Sequence, residues 1–358
     1  MFRCFMVLVT LLAVGLTLPR RAEACTAALL EGPAQRLVIK SYDWHDGSGW
    51  LVLNPAGQAK KALRLRTGAA SLRWTSRHAS ITFNQYGLHL PNSGMNQAGL
   101  VVETLWLKDS RYPKADQRPA LNELQLVQWL LDRFDSVSEA VTALPTVRVA
   151  PVHGRVHWMV CDKSGACASI EYLKGRLTVH HGASLPHRAL ANHTYAQSQR
   201  SYQSRGDRGT RGSLDRFARA TKGHALPKGR QAGLHHAQRL LERVQAGSYT
   251  KWQLIWQPAK GRVTFRTRSK GRAWPMGWRN FSFTDTKATC ATGSVAMTLG
   301  DASKSPIAAL LRPLSQAKLR ASVRRRLRRL GMPRAGAVAT RIAGYAASIG
   351  CARAATTQ

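Results

Sequence analysis

An export signal that ends directly before a cysteine is the sequence feature that most constrains this chain. Arg3 supplies the early positive charge, residues 5–18 are apolar apart from threonine and glycine, and residues 22–24 form a small–any–small cleavage pattern. Cleavage there leaves a chain that is periplasmic or secreted and begins at Cys25. Lipidation is the alternative fate of such a cysteine, but it normally requires leucine at the position of Ala22. We therefore predict that residues 1–24 are a cleaved signal peptide.

The number of cysteines left after cleavage is odd. They are Cys25, Cys161, Cys167, Cys290 and Cys351. An odd number in an exported protein leaves one thiol free. If Cys25 is that thiol, Cys161 with Cys167 and Cys290 with Cys351 are the candidate disulfide pairs. The alternative, in which all are reduced and buried, stays open at this point.

The composition is that of an ordinary globular protein, except for its charge. The chain has 358 residues, of which 44% are hydrophobic and 20% charged, so predominant disorder and collagen-like or coiled-coil classes are excluded. No internal repeat or linker divides it. The formal net charge of +36 attracts polyanions such as nucleic acid, lipopolysaccharide or an anionic membrane surface. Coding bias toward arginine is the alternative explanation.

The hydrophobic pattern indicates a mixture of strands and helices. Apolar or alternating runs predict strands at 37–44, 50–54, 80–84, 100–107, 156–161, 168–173, 177–180, 249–257 and 263–268. Apolar residues three or four apart predict helices over 121–134 and 138–144. The polar segment 197–233 predicts an exposed loop, then a helix from about Ser213. Strands, then helices, then further strands are typical of antiparallel sheets with helices on their outer faces.

A cysteine at the start of a mature chain carries a general base beside its own nucleophile. A free α-amine has a pKa of about 7.7–8.0, so part of it is unprotonated near neutral pH. A thiol beside cationic groups loses its proton more easily, and the thiolate attacks an amide carbonyl to form a thioester. Such a site also needs an acidic group to hold the amine and neutral donors to bind the oxyanion.

A series of short motifs follows this cysteine in a fixed order. They are Cys25-Thr26, 39–44 (IKSYDW), 94–103 (GMNQAGLVVE), 121–125 (LNELQ), 157–162 (HWMVCD) with 170–172 (IEY), 191–195 (ANHTY), 215–217 (DRF), and Trp252 with 265–267 (FRT). Together they resemble the linear amide C–N hydrolases, the choloylglycine hydrolase and penicillin V acylase family of N-terminal-nucleophile hydrolases. The resemblance extends from Cys25 to about Gly300.

The resemblance implies an α+β fold of four layers, αββα, with two antiparallel sheets between helix layers. The amidase domain would span 25–300, and 301–358 would be a basic, mostly helical extension packed on it or appended to it. Family substrates are penicillin V, N-acyl homoserine lactones and conjugated bile salts, so the expected partner is a small-molecule N-acyl amide. The aromatic pocket and periplasmic position lead away from bile salts. No cofactor or metal is expected, because the sequence has neither a His-Glu-x-x-His nor a Cys-x-x-Cys motif. The family often forms homotetramers, so a homotetramer is a further expectation from the resemblance.

Four site residues carry over from the family by position. Cys25 would be the nucleophile and, through its amine, the base. Asp43 would orient that amine, and Asn192 would donate its side-chain N–H to the oxyanion. Arg216, in an Arg-Phe pair 24 residues after Asn192, would raise the positive potential near the thiol. Without the family, Asp43 would be interpreted as an exposed carboxylate at the end of a strand.

Two positions depart from the commoner family pattern. Lys40 stands where arginine is usual, and it keeps the charge but loses the planar fork of a guanidinium. Trp106 stands where asparagine or tyrosine assists the oxyanion, and an indole donates only from its ring nitrogen. A backbone N–H is the expected substitute. We expect Trp44 and Trp106 to line an aromatic acyl pocket; the alternative is that both belong to the core.

A second hypothesis explains the charge without catalysis. The chain would be a cationic protein, or a lipoprotein, that binds nucleic acid or the cell envelope. The tail from Asp301 holds 12 basic residues against one acidic residue, with an arginine-rich run at 324–329. We interpret that run as the solvated face of an amphipathic helix with loose attraction to polyanions. This hypothesis leaves the ordered motifs around Cys25 unexplained.

Overall fold

The computed structural model describes residues 25–63, 70–268, 274, 277–302 and 306–352, so the predicted signal peptide lies outside the described residues. Within these ranges the strands are β1 Thr26–Gly32, β2 Gln35–Asp43, β3 Trp50–Asn54, β4 Gln58–Lys61, β5 Arg73–Thr75, β6 Ser80–Asn84, β7 Pro91–Asn96, β8 Val101–Trp106, β9 Ala120–Leu121, β10 Arg148–Val149, β11 Val156–Cys161, β12 Cys167–Leu173, β13 Arg176–His181, β14 Ala189–Leu190, β15 Thr250–Gln257, β16 Arg262–Thr267, β17 Arg279–Ser282, β18 Val295–Thr298, β19 Arg312–Pro313 and β20 Gly350–Cys351. The helices are α1 Glu123–Arg133, α2 Val137–Ala143, α3 Tyr195–Arg205, α4 Ser213–Lys222, α5 Arg230–Val244, α6 Ile307–Leu310, α7 Gln316–Arg329 and α8 Ala335–Ala347.

Two antiparallel sheets form the centre of the molecule. One has six strands in the order β14-β1-β2-β15-β16-β17, and the other has nine in the order β13-β12-β11-β8-β7-β6-β3-β18-β19. The inner faces of the two sheets share one apolar core. A hydrogen bond also joins them, from Trp256 Nε1 on β15 to Glu103 Oε1 on β8 at 2.6 Å.

Alternate residues of the nine-stranded sheet belong to different cores. On β3, Leu51 and Leu53 pack between the sheets, whereas Trp50 and Val52 pack under α7 and α8. Successive side chains of a strand point to opposite faces, so a strand between two layers must be apolar on both. This explains the nearly continuous apolar run predicted as a strand at 100–107, which forms β8.

Helices cover the outer faces of both sheets. Helix α1 packs on β7 and β8, while α4 and α5 pack on β1, β2 and β15. Asn122 begins α1 by accepting hydrogen bonds from the backbone nitrogens of Leu124 and Gln125. The four layers αββα and the α+β class predicted from the sequence are therefore confirmed.

One predicted loop is wrong. Residues Tyr195–Arg205 of the polar segment form helix α3. Thr194 and Gln197 form a capping box, in which each side chain binds the other residue's backbone nitrogen. Only Tyr195 and Ser198 of this helix are buried, so its sequence lacks the apolar periodicity that indicates a helix. The capping pair Thr-x-x-Gln was the signal available.

The C-terminal helices are built into the domain surface. Both candidate disulfides are present, Cys161–Cys167 and Cys290–Cys351, and Cys25 is free. The second bond ties the strand after α8 to the loop before β18, and β20 pairs with β4. Among the described residues, no helix combines the length and the apolar character needed to cross a membrane.

The arginine-rich run on α7 is only partly solvated. Four of its arginines are exposed, namely Arg324, Arg325, Arg328 and Arg329. Arg326 is buried, so the interpretation as a solvated face is wrong for this residue. Its guanidinium lies 4.0 Å from the centre of the Trp50 ring, which explains why a charge is tolerated there.

Candidate active site

Cys25 lines a largely apolar cavity and stands immediately before β1. The residue is 3% exposed, and its Sγ lies 3.8 Å from the backbone oxygen of Asp43. The cavity it lines has about 850 Å³ of empty space, part of which is open to solvent. A thiol that lines an apolar cavity is in the kind of place where small molecules bind.

Strand pairing brings distant segments to this cysteine. In the pairing of β1 with β14, Ala27 lies opposite Leu190, and the same register places Asn192 opposite Cys25. In the pairing of β1 with β2, Thr26 lies opposite Ser41. The end of β2, where Asp43 stands, is therefore beside Cys25 on the other flank.

Asn192 and Arg216 bind the backbone of Cys25 directly. The nitrogen of Cys25 donates to Asn192 Oδ1 at 2.8 Å, and Arg216 Nη2 donates to the same oxygen at 2.8 Å. Arg216 Nη1 donates to the Cys25 carbonyl oxygen at 2.6 Å. Ser213 and Arg216 both belong to the first turn of α4, and Ser213 Oγ accepts from the Asn192 nitrogen at 2.7 Å. One helix start thus positions both residues.

Asp43 is a fully buried carboxyl group with one oxygen satisfied. Its Oδ1 accepts hydrogen bonds from Ser41 Oγ at 2.9 Å and from Thr250 Oγ1. Its Oδ2 has no hydrogen-bond partner among the described residues and lies 3.9 Å from Arg216 Nη1. Burial raises the pKa of Asp43, opposed chiefly by Arg216. A buried acceptor without a partner beside Cys25 is a place for a further donor.

Lys40 lies between the two sheets, within a buried charge pair. Its Nζ is 3.3 Å from Glu103 Oε2 and donates to the Thr104 backbone oxygen at 2.5 Å. Glu103 Oε1 in turn accepts from Ser93 Oγ at 2.6 Å. The structure therefore places Lys40 in a hydrogen-bonded network, from which its charge still acts on the thiol.

The environment of the thiol opposes its ionisation. Burial raises the pKa of Cys25, and the Asp43 charge raises it further, whereas Lys40 and Arg216 lower it. Burial is the largest of these effects, so the net change in pKa is upward. This direction is opposite to the lowered thiol pKa expected beside cationic groups. A base is needed to take its proton.

The two tryptophans line the cavity, together with Tyr42 and Tyr86. The Trp44 and Trp106 rings lie 5.8 Å apart between centroids, and Trp44 Nε1 donates to Tyr86 Oη at 2.6 Å. The backbone oxygen of Trp106 accepts from Asn192 Nδ2 at 2.8 Å. Trp106 therefore orients Asn192 through its backbone oxygen. Any residue has such an oxygen, so the tryptophan in the sequence did not indicate this contact.

The sequence did not point to several residues of this site. The strands around Asp43 contribute Ser41 and Thr250, and the other sheet contributes Glu103. A glutamate inside the apolar run 100–107 was the available signal for a buried partner. Nothing in the pattern of the tail signalled that five of its apolar side chains also line the cavity: Leu327, Leu330, Met332, Val338 and Ile342.

Comparison with known proteins finds relatives of one family. The family model of linear amide C–N hydrolases, choloylglycine hydrolase family, matches residues 79–227. A penicillin V acylase of Pectobacterium atrosepticum is 28% identical over 239 residues, which cover 58% of this chain and 62% of that protein. The match therefore spans less than two thirds of that relative.

Solved structures show the same fold. Penicillin V acylase from Agrobacterium tumefaciens has a TM-score of 0.64 and 24% identity, and the match covers 76% of this chain and 91% of that one. A mutant of the conjugated bile acid hydrolase from Clostridium perfringens has a TM-score of 0.57 and 16% identity, with 74% and 93% covered.

Proposed function

Because the chain belongs to the choloylglycine hydrolase family of linear amide C–N hydrolases, we propose that it is an exported amidase of N-acyl substrates. It cleaves the amide bond through a thioester on Cys25 after residues 1–24 are removed. The observation that carries this proposal is the shared hydrogen bonding of Asn192 Oδ1 by the Cys25 nitrogen and Arg216, at the apolar cavity that Cys25 lines.

Removal of the signal peptide creates the catalytic base. The Cys25 nitrogen then becomes an amine with additional hydrogens. One hydrogen keeps the bond to Asn192 Oδ1, whose length is 2.8 Å. Asp43 Oδ2, which has no hydrogen-bond partner among the described residues, is the acceptor for a second. These two oxygens orient the amine so that its lone pair takes the thiol proton, directly or through one water.

The reaction then proceeds in two displacements at one carbonyl carbon. The thiolate sulfur bonds to that carbon, and the carbonyl π electrons move onto oxygen. When the C=O bond re-forms, the C–N bond breaks and the protonated amine of Cys25 gives its proton to the leaving nitrogen. Water, deprotonated by the same amine, attacks the thioester, and the acid leaves while the thiol is restored.

Asn192 supplies the donor for the oxyanion. Its Nδ2 carries two hydrogens, and one binds the Trp106 backbone oxygen at 2.8 Å. The second hydrogen is free to bind the oxyanion. Arg216 stabilises the negative charge from behind, since it binds both Asn192 and the Cys25 carbonyl oxygen.

The substrate is an amide of one of three types: penicillin V, an N-acyl homoserine lactone or a conjugated bile salt. Trp44 and Trp106 in the cavity favour the first two types, in which a slim or aromatic acyl group enters an aromatic channel. The net charge of +36 favours substrates that bear a carboxylate.

The experiment begins with the intact mass of the protein purified from its native compartment. A mass that starts at unmodified Cys25 is expected, and a mass that retains residues before it or carries lipid contradicts the mechanism. The processed protein is then tested on the three substrate types beside Cys25→Ala and Cys25→Ser. Loss of hydrolysis in Cys25→Ala, with unchanged thermal unfolding, supports the proposal. Hydrolysis that survives in Cys25→Ala contradicts it.

Loose association with polyanions accompanies this activity. The exposed arginines of α7 form a positive surface. Salt-sensitive binding to anionic vesicles that is unchanged in Cys25→Ala is expected. A homotetramer is proposed from the family, and light scattering after size exclusion tests it.

A further inference from the structure

Two helices of the C-terminal segment complete the cavity that holds Cys25. Leu327 and Leu330 come from α7 and its end, and Met332, Val338 and Ile342 come from the turn and α8. All five lie outside the residues 79–227 that match the family model. We call α7, α8 and the turn between them the C-terminal hairpin. Its side chains face the same empty space as the Cys25 thiol.

The C-terminal hairpin is held against the domain by an apolar core. Its buried residues pack on Trp50 and Val52 of β3 and on Leu88 and Leu90. Leu90 also lines the cavity. The hairpin is therefore part of the folded structure and presents a fixed wall to the cavity.

Polar contacts tie the C-terminal hairpin to the segments beside β2. Arg326 donates to Ser48 Oγ at 2.9 Å and to the Gln85 backbone oxygen at 2.9 Å. Arg329 forms an ion pair with Asp46 at 2.9 Å. Asp46 and Ser48 follow Asp43 in the chain, and Gln85 binds the Tyr42 hydroxyl at 2.7 Å. The position of the wall is thus fixed relative to the end of β2.

The chemistry of the hairpin wall decides which half of a substrate it can accept. Its five side chains carry no N–H or O–H group and no carbonyl oxygen. A polar group placed against them would lose its hydrogen bonds to water without a replacement. Asn122, Glu123 and His153 also line this cavity, and their side chains carry polar groups. The apolar half of the substrate therefore lies toward the hairpin.

We propose that the C-terminal hairpin is the specificity wall of the acyl pocket, and that it selects N-acyl amides with an apolar acyl chain. The inference rests on the proposed function for the identity of the reacting group. Leu330, Met332 and Val338 are the specificity-determining residues, because they are partly exposed and can contact a ligand without disturbing the core. Each methylene that reaches this wall strengthens binding about fourfold.

The test measures binding without turnover. Processed protein is titrated calorimetrically with butanoate, octanoate and dodecanoate, which are straight-chain products of such amides. Val338→Phe fills the wall, and Ala337→Phe is the matched control, since Ala337 is the exposed neighbour on the same helix. Met332→Ala removes wall atoms and acts in the opposite direction. Thermal unfolding of each variant is recorded beside the titrations.

Wild type and Ala337→Phe are expected to bind dodecanoate more tightly than butanoate. In Val338→Phe, dodecanoate binding falls by about tenfold while butanoate binding is unchanged, because only the longer chain reaches the wall. In Met332→Ala, the gain in affinity from octanoate to dodecanoate becomes larger than in wild type, because the removed atoms leave room for a longer chain. Equal behaviour of Val338→Phe and Ala337→Phe, or a loss that is the same for all three acids, overturns the inference. So does an unchanged length preference in Met332→Ala, even if Val338→Phe fails to fold.

The same variants with a series of N-acyl amides separate the two proposals. If no amide is cleaved but the acids bind with the expected length dependence, the proposed function fails and the specificity wall stands. If amides are cleaved with a length preference that Val338→Phe does not alter, the specificity wall fails and the proposed function stands.

Discussion

Arg216 Nη2 donates to Asn192 Oδ1 at 2.8 Å, and this contact joins α4 to the segment after β14. The same Asn192 oxygen accepts from the nitrogen of Cys25. Arg216 is 1% exposed and also donates to the Cys25 carbonyl oxygen, so it binds both Cys25 and Asn192. A planar guanidinium with several donors suits this double contact better than an ammonium group.

Arg216→Lys should therefore lose activity although it keeps the charge. A single ammonium cannot reach both Asn192 and the Cys25 carbonyl, so the amine and the oxyanion donor move relative to the thiol. Misplacement on this scale costs roughly a hundredfold in kcat/KM. The measurement is steady-state hydrolysis by processed protein. Arg200→Lys, at an exposed position of α3, is the control and should stay near wild type. Near-normal activity of Arg216→Lys would show that charge alone matters.

The pH dependence of thiol reactivity follows from the raised pKa of Cys25. A raised thiol pKa lowers the thiolate fraction at every pH below it. In protein that retains residues 1–24, with Cys4 replaced by serine, alkylation of Cys25 by iodoacetamide should keep rising through pH 9. Processed protein should react faster near pH 8, because an α-amine with a pKa of about 7.7–8.0 is then unprotonated in about half of the molecules and accepts the thiol proton. A plateau below pH 8 in the retained form would mean that Lys40 and Arg216 outweigh burial.

The buried pair of Lys40 and Glu103 predicts a non-additive double-mutant cycle. Both side chains are 0% exposed and their charged atoms lie 3.3 Å apart. Lys40→Met leaves a buried carboxylate without its cation and should lower the free energy of unfolding by about 3–5 kcal/mol. Lys40→Met with Glu103→Gln should be clearly more stable than Lys40→Met alone. Urea unfolding of the four proteins measures this, and simple additivity would contradict a direct pair.

Much of the fold could be predicted because burial on two faces leaves a clear pattern. The bounds of β3, β6 and β11 agree with the predicted runs at 50–54, 80–84 and 156–161. These strands lie between layers, so almost every residue is apolar or buried. Strand β1 was missed because its sequence, TAALLEG, has neither alternation nor a typical strand composition.

The candidate site was harder to predict from the sequence than the fold was. Cys25, Asp43, Asn192 and Arg216 are far apart in the chain, and only the ordered motifs of the family linked them. The apolar stripe of α7 predicts that the helix packs on something, but not that Leu327 and Leu330 reach the cavity. Contact between a tail and a distant site depends on tertiary packing, and local periodicity does not encode it.

The two disulfides should contribute unequally to stability. Cys290 and Cys351 are separated by 61 residues, and Cys161 and Cys167 by six. Loop-closure entropy gives about 4 kcal/mol for the longer loop and about 2 kcal/mol for the shorter one. Replacing the Cys290–Cys351 pair by serines should therefore lower the free energy of unfolding more. Chemical unfolding of both double variants checks this, and the reverse order would contradict the entropic explanation.

The contribution of Arg326 to stability can be measured against an exposed arginine that stands next to it in α7. Arg326 lies over the Trp50 ring and donates to Ser48 and Gln85, whereas Arg325 is exposed. Burial lowers the pKa of Arg326 to about 10, so its side chain is still charged near neutral pH. Arg326→Ala loses charge-assisted hydrogen bonds and the ring contact, which together stabilise the fold by about 2–4 kcal/mol.

The control for this change is Arg325→Ala, which removes the same group one residue away. It should alter the free energy of unfolding by no more than about 0.5 kcal/mol. Urea unfolding of both variants gives the comparison, and limited proteolysis shows whether α7 and α8 detach first in Arg326→Ala. Equal unfolding free energies would mean that the apolar core under the hairpin holds it without Arg326. If protease cuts Arg326→Ala early within the C-terminal hairpin while the two sheets unfold as in wild type, Arg326 is the main polar contact that holds the hairpin.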